Sequence, residues 1–203
     1  MKLITVRHGS SKANDSGLSA GWMDVELGDK GLEQAKNVAK RLKDKKIDVI
    51  YSSDLKRASR TAEEIVKFHD CEIILDKRLR EQNKGKYAGT PAKDMWDDFR
   101  ASGEDILEWT PEGGESLGSV KNKTLNFLSE IEEKHKDKTV LVVSHGGTLA
   151  VVSRHFYEDV EFDGKLDSVS NARHGHKNTS VSEYSFDGEK WNVVRTNCTE
   201  HLK

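Results

Sequence analysis

The chain has 203 residues, of which 34% are hydrophobic and 33% are charged, and its formal net charge is -2 at pH 7. This length is sufficient for one compact domain with its own hydrophobic core and is short for two. The near balance of acidic and basic residues excludes a general nucleic-acid binder, whose basic face shows as a surplus of Lys and Arg, so any anion site must be local.

In the first part of the chain, short β-branched runs alternate with longer runs of helical period. Apolar residues recur every three or four positions from Leu32 to Leu42, which is typical of an amphipathic helix. Ser53 and Asp54 offer a cap for a second helix. The pattern predicts strands over 3–6, 47–51 and 72–75, and helices over 29–45 and 55–66.

The same alternation continues after residue 114. The pattern predicts helices over 115–136 and 148–157, and strands over 139–143, 180–186 and 191–196. The Val- and Leu-rich run at 139–143 suits a central parallel strand that is covered on both faces. Asp187-Gly188 is a hairpin signal and predicts an antiparallel pair at the sheet edge. The predicted fold class is therefore α/β, with a mostly parallel central sheet and an antiparallel edge.

Two segments, 82–114 and 158–178, lack a clear period. The first contains both prolines, Pro91 and Pro111, and the second contains two glycines and two histidines. Long segments of this kind inside a compact domain are usually functional loops. We therefore predict a single domain over 1–203 with two lid insertions.

The cysteines and the start of the chain bear on location. Cys71 and Cys198 are far apart and neither forms a C-x-x-C pair, so the sequence shows no disulfide framework and no zinc motif. The apolar run at 3–6 is too short for a signal-peptide core or a membrane-spanning helix. We expect a cytoplasmic protein without a membrane partner.

His8 and His145 each follow a predicted strand and each precede a glycine. In open parallel sheets, ligands bind beyond the carboxyl ends of the strands. Gly146 would open a helix whose N–H groups favour an anion, and the cation Arg7 has the same preference. These residues predict a phosphate pocket that contains two imidazoles.

Two other interpretations of these histidines remain open. A single His is often a hydrogen-bonded structural residue, although two at equivalent strand ends favour a shared site. A metal site is the other alternative, with His8, His145, His174 and His176 as ligands. Arg7 would repel a cation, however, and no carboxylate lies at ligand spacing beside either strand-end His. We expect no metal and no cofactor.

Five segments, in this order, resemble the motifs of the histidine phosphatase superfamily, which contains the cofactor-dependent phosphoglycerate mutases and related phosphatases. The segments are 7–9, 52–62, 78–89, 114–116 and 144–147. The resemblance covers nearly the whole chain. It implies a three-layer α/β/α sandwich of the phosphoglycerate mutase type, acting on a small phosphorylated substrate as a monomer or homodimer.

The resemblance also implies a role for each matched residue. His8 would attack phosphorus and form a phosphohistidine, while Arg7 and Arg57 neutralise the phosphate oxygens. The two guanidinium groups would lower the pKa of His8 and keep it neutral. Glu81 would protonate the leaving alkoxide and later deprotonate water. His145, the fifth candidate catalytic residue, and Asn14 would hold the equatorial phosphate oxygens, and Gly21 and Gly146 complete the candidate substrate contacts.

Some of these assignments have local competitors. Asn14 beside Asp15 also suits a plain turn. The other carboxylates in or near the first lid segment are Glu104, Glu108, Glu112 and Glu115, and any of them is a possible alternative to Glu81. The aromatic residues Trp22, Tyr87 and Trp109 suit packing better than substrate contact.

Several residues suggest a second acidic group on the substrate but also suit a solvated surface. They are Lys84, Lys86, His174, His176 and Lys177.

Two departures from the family pattern favour a phosphatase over a mutase. Ala20 stands where mutases usually carry a hydroxyl residue, and the segment from Glu81 to Gly114 is short where mutases usually carry an insertion. A third departure, Ser10 in place of Glu or Gln, puts the hydrogen bonding of the first loop in question. A non-catalytic phospho-ligand or partner-binding module is the alternative of another class.

Overall fold

The computed structural model describes residues 1–156 and 176–203. The strands are β1 (Lys2–Arg7), β2 (Leu18–Ser19), β3 (Val49–Ser52), β4 (Ile73–Leu75), β5 (Thr90–Pro91), β6 (Thr139–Ser144), β7 (Val181–Phe186) and β8 (Trp191–Cys198). The α-helices are α1 (Lys12–Asp15), α2 (Asp29–Leu42), α3 (Lys56–Val66), α4 (Ala92–Ser102), α5 (Leu117–Lys134) and α6 (Gly146–Phe156). Short 3-10 turns occupy Lys77–Leu79, Gly85–Tyr87 and Glu200–Leu202.

Six strands form the central sheet, in the order β4-β3-β6-β1-β7-β8. The first four strands of this order pair in parallel, whereas β7 runs antiparallel to β1 and β8 runs antiparallel to β7. β6 lies between β3 and β1, as its continuous apolar sequence predicts. The predicted fold class, a mostly parallel sheet with an antiparallel edge, is confirmed.

The sheet carries a hydrophobic core on each face. Val140 and Val142 of β6 point to the face that packs against α5 and α6. Leu141 and Val143 alternate with them and pack with α2 and α3 on the opposite face. This alternation follows from the period of two along a strand. The result is a three-layer α/β/α sandwich.

The predicted cap of α3 is wrong. The helix begins at Lys56 and its N-cap is Leu55, which makes no side-chain capping bond. Ser53 Oγ instead accepts a hydrogen bond from the Leu55 N–H at 3.3 Å. The Asp54 carboxylate instead accepts two hydrogen bonds of 2.6 Å from the Arg80 guanidinium. Both candidate caps thus bind other groups.

The first predicted lid segment, 82–114, is more regular than its sequence suggests. It contains α4, and β5 pairs with β2 to form a small two-stranded sheet. Met95 and Phe99 of α4 are buried, and Phe99 joins Ile106 and Leu117 in a third small cluster. The segment therefore contains packed secondary structure and is not one long loop.

Some predictions fall where the structure gives no description. Tyr157, the predicted last residue of the helix at 148–157, and most of the 158–178 segment, including His174, lie outside the described residues. The second lid and the single domain over 1–203 stay predictions. Within the described part, no helix is long and apolar enough to cross a membrane.

Candidate active site

Parallel pairing of β1 with β6 brings the two predicted histidines together. Arg7 pairs with Ser144 in register, and the His8 N–H continues the ladder to the Ser144 carbonyl oxygen at 3.0 Å. The rings of His8 and His145 are 5.0 Å apart between centroids. Both side chains are buried. The carboxyl ends of the two strands thus place two imidazoles side by side, as predicted.

The His8 ring is fixed by one hydrogen bond. Its Nδ1 lies 2.7 Å from the Gly9 carbonyl oxygen, and because a carbonyl can only accept, Nδ1 carries the proton. The lone pair is then on Nε2, which makes no hydrogen bond with a described residue. Burial lowers the pKa of His8 well below its usual value, and the charges of Arg7 and Arg57 add to this effect. His8 is therefore neutral at pH 7 and suited to act as a nucleophile.

His145 is hydrogen-bonded to a residue of the 52–62 segment. Its Nε2 lies 2.8 Å from Ser53 Oγ, and its Nδ1 is buried with no hydrogen-bond partner among the described residues. Burial, followed by the charge of Arg57, lowers the pKa of His145 well below its usual value. A buried polar atom without a partner is costly, so this nitrogen is suited to hydrogen-bond with a polar ligand.

Two guanidinium groups, that of the buried Arg57 and that of the partly buried Arg7, are held by backbone carbonyls. Arg57 donates to the carbonyl oxygens of Met23 at 2.9 Å and Gly21 at 2.7 Å. Arg7 donates to the carbonyl oxygen of His176 at 2.5 Å, and its Nε is buried without a hydrogen bond to any described residue. Neutral carbonyls orient the guanidinium groups but leave their charges uncompensated, which favours an anion.

Both arginines remain cationic at neutral pH despite their burial. Burial lowers the pKa of Arg57 to about 10, and the nearby Glu81 carboxylate opposes this shift. Burial also lowers the pKa of Arg7, again opposed by Glu81. These charges are therefore available to neutralise the oxygens of a phosphate.

The Glu81 carboxylate lies against the N-terminus of α6, where an anion was predicted to bind. Its Oε2 accepts the Gly147 N–H at 3.0 Å, and its Oε1 accepts the Gln82 N–H at 3.0 Å. A Cβ at position 147 would collide with this carboxylate, so the close approach requires glycine. The N-terminus of α6 thus orients the predicted proton donor.

The backbone of Glu81 is anchored by Trp22 and Arg80. The Trp22 indole N–H donates to the Glu81 carbonyl oxygen at 2.7 Å, and the Arg80 guanidinium lies 4.9 Å from the Trp22 ring centroid. Arg80 is fixed in turn by its two bonds to Asp54. Trp22 is 40% exposed, so its role is to brace the rim of the site and not to fill a core.

Most of these groups meet in one cavity of about 350 Å³, whereas His145 is fully buried and is not part of its wall. Its wall contains Arg7, His8, Asn14, Arg57, Glu81 and Lys84, together with Ser11, residues 17–21 and Ala92. Glu81 is the only acidic residue of this wall within the described part of the chain. A larger cavity of about 560 Å³ lies near Glu132 and Asp187, but it contains no His and no Arg. The chemistry is therefore concentrated in the smaller cavity.

Of the predicted substrate contacts Asn14, Gly146 and Gly21, two line the cavity and one does not. Asn14 lines the cavity, and its Oδ1 also accepts the Ser11 N–H at 3.2 Å to complete a capping box. Gly146 is not part of the wall, whereas Gly21 does line the cavity. A Cβ at position 146 would be in ordinary van der Waals contact with Arg7, 3.5 Å from its guanidinium carbon.

Of the residues suggested to bind a second acidic group, Lys84 lies at the cavity, whereas Lys86 and His176 do not. Lys84 lines the cavity. Lys86 is exposed, and its ammonium lies 3.5 Å from a Glu112 carboxylate oxygen. His176 is buried behind Arg7, with its Nε2 2.9 Å from Ser153 Oγ, and it is not part of the cavity wall; its contact with substrate stays an open suggestion.

The wall also contains residues that sequence reasoning missed. Ala92, the first residue of α4, and Leu18 and Ser19 of β2 all line the cavity. The spacing of Met95 and Phe99 along α4 is a helical signal that could have located this element. The contribution of β2 had no such signal, because a strand of two residues has no measurable period.

Ser10 does not disturb the first loop. Its N–H donates to Gln34 Oε1 at 2.8 Å, and its hydroxyl donates to Asp15 Oδ1 at 2.7 Å. Ser10 thus anchors the loop after β1 through two hydrogen bonds, although it departs from the family pattern.

The donor set of this site suits an anion. Its charges come from Arg7, Arg57 and Lys84, with one carboxylate, Glu81. Among the described residues, no group of three or more His, Cys, Asp and Glu side chains is arranged to hold a metal ion.

Comparisons with known proteins identify relatives of the whole chain. The family model of the histidine phosphatase superfamily (branch 1) matches residues 3–199. The chain is 35% identical to phosphoglycerate mutase-like protein 4 of Arabidopsis thaliana, covering 100% of this chain and 87% of that protein. It is 39% identical to phosphoserine phosphatase 1 of Hydrogenobacter thermophilus, over 71% of each chain. The solved structure of Bacillus stearothermophilus YhfR matches with a TM-score of 0.86 at 28% identity, covering 100% of this chain and 99% of that one.

Proposed function

The chain belongs to the histidine phosphatase superfamily, branch 1, and we propose that it hydrolyses phosphate monoesters of a small metabolite through a phosphohistidine on His8. The main support is the state of the His8 ring. Its Nδ1 is bound to the Gly9 carbonyl, which leaves the Nε2 lone pair free beside two guanidinium groups. A neutral nucleophile next to fixed positive charge is the arrangement that attack on a phosphate dianion requires.

The proposed reaction has two steps. In the first, His8 Nε2 bonds to phosphorus while the ester P–O bond breaks, and Glu81 gives its proton to the leaving alkoxide. In the second, Glu81 takes a proton from water, whose oxygen attacks phosphorus as the P–N bond breaks. The products are the alcohol, inorganic phosphate and the original His8. Arg7 and Arg57 neutralise the phosphate oxygens in both steps.

A phosphatase fits the cavity better than a mutase does. Ala20 lines the wall without a hydroxyl group, where a mutase usually has one to position its substrate. A mutase must also keep water from the phosphohistidine, whereas a phosphatase must admit it. The half-exposed rim at Trp22 favours access of water.

The first prediction tests hydrolysis itself. The protein should release phosphate from p-nitrophenyl phosphate, and EDTA should leave the rate unchanged because the proposed charges are side chains. Vanadate should inhibit, since it adopts the five-coordinate geometry of the phosphoryl transition state. A panel of cytosolic phosphate esters, with O-phosphoserine among them because one relative is named for it, measures the substrate range. Absence of turnover on every ester would favour a non-catalytic binding module.

A second prediction separates the phosphatase from the mutase. With 3-phosphoglycerate and a trace of the 2,3-bisphosphate, release of inorganic phosphate should exceed formation of 2-phosphoglycerate. Both products can be followed in one sample by phosphorus NMR. Rapid isomerisation without free phosphate would establish the mutase and refute our assignment.

Location and assembly belong to this proposal. Cys71 and Cys198 are both free thiols, which is consistent with the reducing cytoplasm where we place the protein. A monomer or homodimer stays a prediction.

A further inference from the structure

Lys84 is a cation of the cavity wall that the proposed reaction does not use. Its side chain starts against Gly21, where a Cβ would lie 3.1 Å from both Cβ and Cγ of Lys84. No carboxylate of the described residues lies within ion-pair distance of its ammonium, whereas the neighbouring Lys86 is near Glu112 and Asp98. Lys84 therefore faces the cavity as a charge without a counter-ion of its own.

The backbone around Lys84 is fixed. The Lys84 carbonyl oxygen accepts the Tyr87 N–H at 3.0 Å, and Asn83 Oδ1 accepts the Gly85 N–H at 3.1 Å. Gly85 has a φ of +51° and packs so closely on the Glu112 carbonyl that a Cβ would collide with it. Such a turn fixes the direction of the Lys84 Cα–Cβ bond, and the side chain lines the cavity.

In the state that begins the reaction, in which Glu81 is protonated as the proton donor, the charges of the site leave an excess that a phosphate alone does not balance. Arg7, Arg57 and Lys84 supply three positive charges, and His8 is neutral. Glu81 must be protonated when it acts as a proton donor. A phosphate monoester carries close to two negative charges. One positive charge then remains unmatched.

The surroundings of Lys84 make this excess costly. Burial lowers the pKa of Lys84, the nearby guanidinium groups of Arg57 and Arg7 lower it further, and Glu81 opposes them. A negative group of the ligand placed beside the ammonium would relieve this repulsion. Several residues of the cavity wall are small, among them Ser19, Ala20 and Ala92, which leaves space for such a group.

We propose that Lys84 is a specificity residue that binds a second anionic group on the substrate, so that the preferred substrates are small phosphate monoesters bearing a carboxylate or a second phosphate. The proposal rests on the proposed phosphatase function and narrows its substrate class. It gives Lys84 no part in bond breaking. Its contribution is to affinity and orientation, and so to KM more than to kcat.

The test compares substrates that differ only in the second group. Two pairs remove a carboxylate, O-phosphoserine against O-phosphoethanolamine and 3-phosphoglycerate against glycerol 3-phosphate. A third pair, fructose 1,6-bisphosphate against fructose 6-phosphate, removes a phosphate. Wild-type protein should show the higher kcat/KM for the doubly anionic member of at least one pair, and that pair identifies the group.

Lys84→Met keeps the length of the stem and removes the charge. It should lower kcat/KM for the doubly anionic member about 10- to 100-fold more than for its partner, the range expected for a lost hydrogen bond to a charged group. Lys84→Arg should restore much of the preference. Lys86→Met, at an exposed cation on the same turn, serves as the matched control and should leave the ratio unchanged.

The outcomes separate the two levels of the proposal. If wild-type protein hydrolyses the esters but Lys84→Met changes none of the three ratios, the role of Lys84 is wrong and the phosphatase assignment stands. If wild-type protein hydrolyses no ester, the proposed function itself fails. If Lys86→Met changes the ratio as much as Lys84→Met does, the effect is a general surface potential and the assignment to Lys84 is overturned.

Discussion

His8→Ala should abolish turnover of both alkyl phosphates and p-nitrophenyl phosphate. The substitution removes the only nitrogen lone pair that the ring presents to the cavity, because Nδ1 is bound to the Gly9 carbonyl oxygen. Loss of a covalent nucleophile affects every substrate alike, whatever its leaving group. The measurement is phosphate release with each ester, together with a thermal melt to show that the variant is folded.

A trapping experiment identifies the phosphorylated residue directly. Protein quenched during turnover should carry label in a phosphoramidate bond, which is labile in acid and stable in base, and His8→Ala should carry none. The matched control is His155→Ala, an exposed histidine near the end of α6, which should retain both turnover and label. Turnover by His8→Ala at a rate close to that of the control would show that another group is the nucleophile.

Glu81→Gln should slow hydrolysis of alkyl phosphates by about 10²- to 10⁴-fold. An alkoxide is strongly basic and needs the proton that Glu81 donates, whereas p-nitrophenolate leaves as a stable anion. The loss with p-nitrophenyl phosphate should therefore be much smaller. The amide keeps the size of the side chain and can still accept the Gly147 N–H that orients Glu81.

The alternative donors are tested in the same assay. Glu108→Gln removes an exposed carboxylate of the first lid segment and should leave both rates unchanged. Equal slowing of the two substrates by Glu81→Gln, or no slowing at all, would mean that Glu81 is not the acid. Because Glu81 is the only acidic residue of the cavity wall within the described part of the chain, the acid would then be a carboxylate outside that described wall.

Periodicity and strand ends were sufficient to predict the centre of the molecule. The apolar runs of β1 and β6 are unbroken and each ends in a histidine, so the parallel pairing that joins His8 to His145 followed from general rules. Arg57 could not be found in that way, because it lies in a helix rich in charged residues. Only the match to a family motif distinguished it from a surface cation, and the structure shows it buried.

What escaped prediction depends on contacts between distant parts of the chain. Asp54 has the residue type and position of a helix cap, but Arg80 competes for its carboxylate. Burial also proved to be the first cause of the lowered pKa of His8, ahead of the two guanidinium groups on which the sequence argument relied. Neither the partner of a carboxylate nor the depth of a side chain can be derived from local pattern.

The order of strands in the sheet also determines at what stage of protein synthesis the active site can form. β1 is made first, yet both of its neighbours, β6 and β7, come from the last third of the chain. Because domains fold as their residues emerge from the ribosome, β1 has no strand to pair with until residues 139–186 are available. Joining segments so far apart makes folding slow compared with helical proteins of similar size. During this interval the apolar run of β1 lacks its partners, which makes the nascent chain a natural client for chaperones.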